Sequence, residues 1–175
     1  MSPVADPPAG AADAGRELAA ARVPTRSPAY GETLVVGPVR AQVLWPPARA
    51  PTLTEGSVAN NASLVLLVEV HGVRVLLTGD IEPPAQAGLS RILRGVTVDV
   101  LKLPHHGSGA QDLDFLVGLS PRVVLVSVGA DNDYGHPAPE ALAPFEAAGA
   151  HVLRTDLAGD LVVLDRDGEL LTSSR

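Results

Sequence analysis

The sequence predicts an α/β fold of mixed type, in which aliphatic strands alternate with helices. From residue 73 onward, short apolar runs alternate with helical segments, and this order is typical of parallel strands joined by right-handed crossovers. Apolar residues make up 46% of the 175 residues, whereas aromatic residues make up only 3%. A core of Val, Leu and Ala suits strands that are buried on both faces.

The composition excludes several classes of protein. The net charge is −7, so a role with nucleic acid would need a local site or a bound cation. The absence of Cys excludes disulfides and thiolate zinc sites. No run approaches the roughly 18 apolar residues of a membrane span. Residues 1–15 lack the basic and then apolar pattern of a signal peptide.

The first third of the chain predicts little regular structure. Residues 1–15 are rich in Ala, Pro and Gly and are interpreted as a disordered lead. The domain is therefore expected to span residues 16–175. Pro and Gly residues, which often end helices and strands, divide residues 16–61 into three segments. These are a short helix over 16–22, a hairpin over 33–45 and a loop over 46–61.

The regular part begins with two apolar strands, 63–70 and 73–78, joined by a tight turn at His71-Gly72. Pro83-Pro84 suits the first turn of a helix. Strands and helices then alternate to the end of the chain. The predicted elements are helix 83–94, strand 96–103, helix 112–119, strand 122–128, helix 139–148, and strands 151–155 and 160–164. In such units the carboxyl ends of the strands lie along one edge of the sheet, where ligand sites gather.

Asp80 follows a buried strand, and its carboxylate must be paired, hydrogen-bonded or metal-bound because burying a bare charge is costly. It either caps the helix that begins near Pro83 or binds a metal ion. The two histidines at the next strand end favour the metal role. About one strand–helix–strand unit separates Asp80 from His106, so we expect the two side chains to be neighbours.

The run His105-His106-Gly107-Ser108 is the clearest local signal. Imidazole nitrogens are common ligands of zinc, manganese and iron. The two rings of a loop need not share a face, so one can bind a metal ion while the other acts on a substrate. Ser108 is a candidate contact for a phosphate or a cap for the next helix. An ordinary strand-to-helix turn remains an equal alternative for this run.

The loop 131–137 adds further candidates. His136 is a candidate for contacting a phosphate or for donating a proton. Asp131 and Asp133 could hold a divalent cation through their oxygens, or they belong to a solvated turn. His71 and His151 are interpreted as structural or surface residues.

Several blocks of sequence together resemble the carboxyl-terminal metallo-β-lactamase domain of the ComEC family of DNA-internalisation competence proteins. Their order and spacing match over about residues 30–165, which correspond to the later half to two-thirds of that domain. The blocks are Asn60–Leu66, Leu76–Ile81, Asp99–Ser108, Val126–Gly129, Asn132 and Tyr134–Pro137.

The resemblance implies an αββα sandwich of two mixed sheets flanked by helices, with this chain forming its carboxyl-terminal portion. It implies a hydrolase that uses a divalent metal, Mn or Zn, with two ions in a completed site. The implied activity is that of a nuclease or phosphodiesterase acting on DNA during uptake.

The resemblance also assigns roles to residues of this chain. Asp80 maps to a metal ligand, and Asn60 or Asn61 falls where related enzymes carry a histidine ligand. Together with the local signals, these matches give three groups of candidates. The catalytic candidates are His105 and His136, the metal candidates are Asp80, His105 and His106, and the substrate-binding candidates are Ser108, Asn60 and Asn61.

The chain also departs from the family pattern. It has no His before His71 and lacks the family's His-x-Asp-x-Asp-His run and its membrane-spanning channel segments. One Asp and two His are too few for a two-metal site. Three functions are therefore compared: a metal-dependent phosphodiesterase completed from elsewhere, a catalytically incomplete remnant or interaction module, and a hydrolase of lactones or thioesters.

The expected partners follow from the same resemblance. They are DNA, a membrane channel segment or the missing amino-terminal half of the domain, and a second copy of the chain. Within a member of this family the domain would be attached to a membrane protein on its extracytoplasmic face. The chain expressed alone would be cytoplasmic.

Overall fold

Sixteen short elements, nine of them strands, make up the regular structure of the computed structural model, which describes residues 8–47 and 56–175. The strands are β1 (Thr33–Val36), β2 (Val39–Trp45), β3 (Val65–Val70), β4 (Val73–Leu77), β5 (Val100–Lys102), β6 (Val123–Val126), β7 (His151–Arg154), β8 (Leu161–Arg166) and β9 (Glu169–Ser174). The helices are α1 (Pro8–Ala20), α2 (Val58–Asn61), α3 (Pro83–Ile92), α4 (Leu113–Gly118), α5 (Pro139–Ala147) and α6 (Thr155–Ala158), with a 3-10 turn over Pro104–Gly107.

Strands β1 to β7 form one mixed sheet in sequence order, and β8 pairs with β9 in a separate two-stranded sheet. The first four strands pair antiparallel, with two-residue turns between β1 and β2 and between β3 and β4. Strands β4, β5, β6 and β7 pair in parallel, with α3, α4 and α5 in the connections between them. The predicted alternation of parallel strands and helices is confirmed, as is the mixed α/β class.

The helices pack on one face of the sheet and form the core with it. Leu76, Leu101 and Val124 are aligned across β4, β5 and β6, and all three are fully buried. Helices α3, α4 and α5 each add buried apolar side chains to the same cluster. Examples are Leu89 of α3, Leu116 of α4 and Phe145 of α5. This aliphatic packing fixes the strand ends and therefore the loops that follow them.

The opposite face of the sheet is also apolar but is only partly covered. Successive residues of a strand point to opposite faces, so Val75 and Leu77 of β4 share this face with Val100 of β5. The β8–β9 hairpin lies over part of it and borders an open cavity of about 670 Å³. Beyond the hairpin, Leu77 is 38% exposed and Val36 is 74% exposed. A helix layer, a mixed sheet and a small second sheet thus follow one another, as in the carboxyl-terminal portion of an αββα sandwich.

Two local predictions were wrong, and two elements were missed. Helix α1 begins at Pro8, inside the expected disordered lead, because its Ala-rich sequence has high helix propensity. Helix α2 lies within the predicted loop 46–61, and the Ser57 side chain caps it by accepting from Asn60 N at 3.2 Å. Strand β9 and helix α6 were not predicted. Residues 1–7 of the lead and 48–55 of the loop lie outside the described residues.

Candidate functional site

The candidate residues meet at the carboxyl edge of the parallel strands. Asp80 follows β4, His105 and His106 follow β5, and His136 lies in the loop after β6. Asp80 Oδ1 is 3.8 Å from His106 Nε2. The ring centroid of His105 is 6.2 Å from that of His106 and 5.5 Å from that of His136. The expected convergence of Asp80 with the histidine pair is confirmed.

His105 and His106 both have left-handed backbone conformations, with φ values of 47° and 56°. Non-glycine residues in this region cost about 1–3 kcal/mol each and concentrate at functional sites. Two backbone hydrogen bonds hold this turn: His105 N donates to Gly79 O at 3.3 Å, and Ser108 N donates to His105 O at 2.9 Å. The strained conformation turns the two rings in different directions.

His106 faces Asp80 with a defined ring nitrogen. Its Nδ1 lies 2.6 Å from the carbonyl oxygen of Ser127, which can only accept, so Nδ1 carries the proton. In the neutral ring, Nε2 then presents its lone pair toward the side of Asp80. Fixing the tautomer through the second nitrogen is how proteins orient a histidine for ligation or proton transfer.

His105 points instead toward Glu82, a residue that the sequence analysis did not single out. Its Nδ1 is buried, has no hydrogen-bond partner among the described residues, and lies 3.7 Å from Glu82 Oε1. That separation is too long for a hydrogen bond. Of the two neighbouring histidines, His106 is therefore the one whose side chain lies beside Asp80.

Among the residues that the structure describes, Lys102 supplies the positive charge closest to Asp80. Its Nζ donates to Gly79 O at 2.8 Å and to Asp80 Oδ1 at 3.3 Å. Burial lowers the pKa of the Lys102 ammonium, while the charge of Asp80 and the hydrogen bond to it oppose that shift. Asp80 thus has a lysine counter-ion and does not cap the following helix.

His136 lies in a loop that is organised by Asn132. The Asn132 side chain accepts from His136 N at 3.1 Å and donates to His136 O at 2.9 Å. The ring of Tyr134, which is 84% exposed, stacks on His136 with centroids 6.1 Å apart. A small cavity of about 190 Å³ lies between this loop and His106. The site therefore has a recess bordered by two imidazoles and an open aromatic face.

Burial lowers the pKa of His136, and the neighbouring His105 and His106 lower it further. We expect the His136 ring signals in NMR to titrate with a midpoint below the ordinary value of 6.5. His105→Asn should raise that midpoint, because one of the two neighbouring histidines that lower the pKa of His136 is removed. A midpoint at or above 6.5 in the parent protein would contradict the packed arrangement of the three rings.

The same shift has a consequence for stability. The unfolded chain binds a proton at His136 more readily than the folded chain does. The contribution of this ring to the free energy of unfolding is therefore complete above about pH 6.5, and it is lost as the pH falls through the lowered pKa of the folded state. Urea unfolding should therefore show a decline in stability below about pH 6.5. The part of this decline in stability that is due to the His136 ring should be absent in His136→Gln, measured over the same pH range.

Asn60 and Asn61 both contact Glu82. Asn60 Nδ2 donates to Glu82 Oε1 at 2.8 Å. Asn61 is 1% exposed, and its amide nitrogen donates to Ser57 O and Glu82 Oε2 at 3.0 and 3.3 Å. Its amide oxygen accepts from the backbone N–H groups of Glu82 and Ala85, both at 3.2 Å. All four hydrogen-bonding positions of Asn61 are used, so it supports the site from behind and leaves nothing for a substrate.

The remaining candidates lie at the margin of the site. Ser108 is 8% exposed, and its Oγ accepts from Ala110 N at 3.3 Å. The predicted capping role for Ser108 is wrong, because Asp112 caps α4 by accepting from Phe115 N. Asp131 and Asp133 lie on the exposed part of their loop. A substrate contact by Ser108 stays a prediction.

The donor set does not fit a metal ion by itself. Within residues 8–47 and 56–175, no group of three or more His, Cys, Asp or Glu side chains is arranged to hold one. Asp80 and His106 provide two donors, His105 turns toward Glu82, and Lys102 already occupies one side of the Asp80 carboxylate. Catalytic zinc sites use three protein ligands and an open position. A metal ion here would need at least one ligand from another segment.

None of the helices within residues 8–47 and 56–175 has the length and the apolar character that a membrane span needs.

Two relatives match much of the chain. ComE operon protein 3 of Bacillus subtilis is 34% identical over 132 residues, which are 75% of this chain and 16% of that protein. Competence protein ComA of Neisseria gonorrhoeae is 36% identical over 104 residues, 58% of this chain and 15% of that protein. The chain therefore spans only a small part of the length of these relatives.

The other comparisons add little. A solved structure of a proposed metal-dependent hydrolase from Parabacteroides distasonis has a TM-score of 0.49 and 14% identity, over 80% of this chain and 62% of that one. No protein-family model matches the chain.

Proposed function

Because this chain carries a ComEC-like domain of the metallo-β-lactamase type, we propose that it is the phosphate-binding part of a hydrolytic site that acts on DNA. The assignment of the chain to a competence-related domain of metallo-hydrolase type rests on the relatives. The proposed action on DNA is supported by one observation above all. Asp80 lies beside Lys102 and His106, and His106 and His136 border a recess at the carboxyl edge of the sheet.

Two of these side chains, Lys102 and His136, suit a phosphodiester. The Lys102 ammonium and an N–H of the His136 ring can donate to phosphoryl oxygens, and donors to anions form the stronger hydrogen bonds. The lowered pKa of His136 favours the neutral ring at pH 7, so it serves better as a hydrogen-bond donor or a base than as a protonated acid. His105, held toward Glu82, is a less exposed second candidate.

DNA is the proposed substrate because the site offers local features that an acidic chain otherwise lacks. With a net charge of −7, binding cannot come from general attraction. Tyr134 presents an open ring face beside the recess. Stacking of a base on an aromatic ring contributes about 1–3 kcal/mol and tolerates any base sequence. We therefore expect single strands to bind better than duplex DNA.

The partly covered face of the sheet supports a partner that completes the site. Leu77 and Lys102 are register partners on β4 and β5, so this apolar face ends at the cluster around Asp80. We propose that the amino-terminal half of such a domain packs there and brings the missing metal ligands. In the whole protein the domain would adjoin a membrane channel on the extracytoplasmic side. In the chain alone, a second copy could cover the same face, which sedimentation equilibrium would detect.

The experiment measures binding and hydrolysis separately. Purified chain is mixed with a fluorescent single-stranded oligonucleotide, with and without Mn²⁺ or Zn²⁺, and both anisotropy and cleavage are followed. We expect binding that His136→Gln weakens, and no cleavage by this chain alone, because the described donor set lacks a third metal ligand. The exposed His151→Gln is the matched control. The proposal fails if the parent protein does not bind the oligonucleotide, or if both variants bind equally well.

A further inference from the structure

Lys102 is the only lysine in the 175-residue chain, in which the other twelve of the thirteen basic side chains are arginines. The two residues are not equivalent, because lysine carries a compact, strongly hydrated point charge whereas arginine carries a planar fork. The one compact cation of this chain lies at the carboxylate of the candidate site. In the sequence Lys102 stands out only because it is the single lysine. The structure shows what its ammonium contacts.

The position of the Lys102 ammonium is fixed by the sheet. Lys102 is the last residue of β5 and is register partner to Leu77 of β4 and Leu125 of β6. Its side chain is 20% exposed. Its methylene stem therefore lies among apolar neighbours while the ammonium reaches the edge, as long basic side chains commonly do. A central strand holds this cation more firmly than a surface loop could.

An ammonium has three N–H donors and no acceptor. Among the described residues, two of these donors are used, by Gly79 O and by Asp80 Oδ1. We propose that Lys102 is the permanent counter-ion of Asp80 and that its third N–H binds a non-bridging oxygen of a phosphodiester. The phosphodiester part rests on the proposed function, whereas the counter-ion part does not.

Lys102 also limits how many metal ions can share the carboxylate. A divalent ion bound to Asp80 Oδ1 would lie within a few ångströms of Nζ, and like charges at about 4 Å repel by several kcal/mol near a protein surface. His106 Nε2 approaches the same oxygen, at 3.8 Å. The place that a second divalent ion would take beside Asp80 is thus filled by an amino-acid side chain. A completed site would hold at most one ion there.

The single lysine makes this proposal directly testable. Protein labelled with ¹⁵N only in lysine should give one side-chain ammonium signal in NMR. Because Nζ is held by two acceptors, we expect that signal to be visible and to broaden in Asp80→Asn. It should shift on adding a short single-stranded oligonucleotide, and also with inorganic phosphate if the phosphate group alone is recognised. Millimolar Zn²⁺ should leave it in place.

Binding measurements on variants provide the second readout. Lys102→Met should weaken oligonucleotide binding about tenfold or more, since a charge-assisted hydrogen bond is lost. Lys102→Arg should recover part of that loss, and Arg91→Met, which removes a charge from the exposed surface of α3, should bind as the parent does. Thermal unfolding of each variant confirms that it is folded.

The outcomes separate the two ideas. If Lys102→Met binds the oligonucleotide as well as Arg91→Met does while His136→Gln binds less well, the lysine proposal is overturned and the proposed function stands. If the parent binds neither phosphate nor oligonucleotide, both the proposed function and the phosphodiester contact are lost. Displacement of the ammonium signal by Zn²⁺ would overturn the counter-ion assignment in either case.

Discussion

Asn61→Ala is expected to lower the free energy of unfolding by about 2–4 kcal/mol, as expected when a buried amide leaves several groups without partners. The Asn61 oxygen accepts from the backbone N–H groups of Glu82 and Ala85 at the start of α3, where Glu82 makes no side-chain cap of its own. Its nitrogen satisfies Ser57 O and the Glu82 carboxylate. Urea unfolding followed by circular dichroism measures the loss.

Two variants test whether the loss comes from this network. Asn60→Ala removes only the contact to Glu82 Oε1 and should cost less than Asn61→Ala. Asn61→Asp keeps the acceptor but places a second carboxylate beside Glu82, so it should be destabilising at pH 7 and less so at low pH. Equal losses in Asn60→Ala and Asn61→Ala would show that the buried amide is not the centre of the network.

Gly79→Ala is expected to disturb both the fold and the site. Gly79 has φ +58°, and a Cβ added there would lie 2.6 Å from Ser63 Cβ and 3.0 Å from Ser63 Oγ. The backbone strain costs about 1–2 kcal/mol and the overpacking about 1–3 kcal/mol. Gly79 O accepts from Lys102, and Asp80 N donates to Ser63 Oγ, so relief of the contact must move the carboxylate. The free energy of unfolding and the affinity for the oligonucleotide should both fall.

Gly95→Ala is the matched control for Gly79→Ala. Gly95 has φ +74°, but an added Cβ would meet nothing within 4 Å, so only the backbone cost applies. The difference between the two variants isolates the collision with Ser63. Adding Ser63→Gly to Gly79→Ala should restore part of the stability by removing the colliding Cβ. If Gly79→Ala and Gly95→Ala lose the same stability, the close approach of Ser63 has no energetic weight.

The elements that position the site could be predicted from local patterns. Proline at the start of α3 and α5, and apolar runs for β3 to β7, mark elements whose type depends on neighbouring residues in the chain. Because parallel units place their strand ends at one edge, the approach of Asp80 to the histidine pair followed from order alone. The missed helix α2 and strand β9 are short, and periodicity says little over so few residues.

The partners of each polar side chain could not be predicted. Asn61 was expected to line the site and instead supports it, because burial and hydrogen bonding depend on Glu82, which lies 21 residues away. Lys102 had no assigned role, because its contact with Asp80 arises from strand pairing between β4 and β5. Neither relation has a signal in the local sequence.

The sequence by itself determined the class of fold, the order of the elements from β3 to β7 and the approach of Asp80 to the histidine pair at the carboxyl edge of the sheet. These depend on hydrophobic periodicity, turn residues and the handedness of crossovers, which are properties of short segments. Only the tertiary structure decided that His106 rather than His105 faces Asp80, and that a lysine is the cation beside it. Both outcomes depend on side-chain directions and on separations of a few ångströms, which packing between distant segments sets.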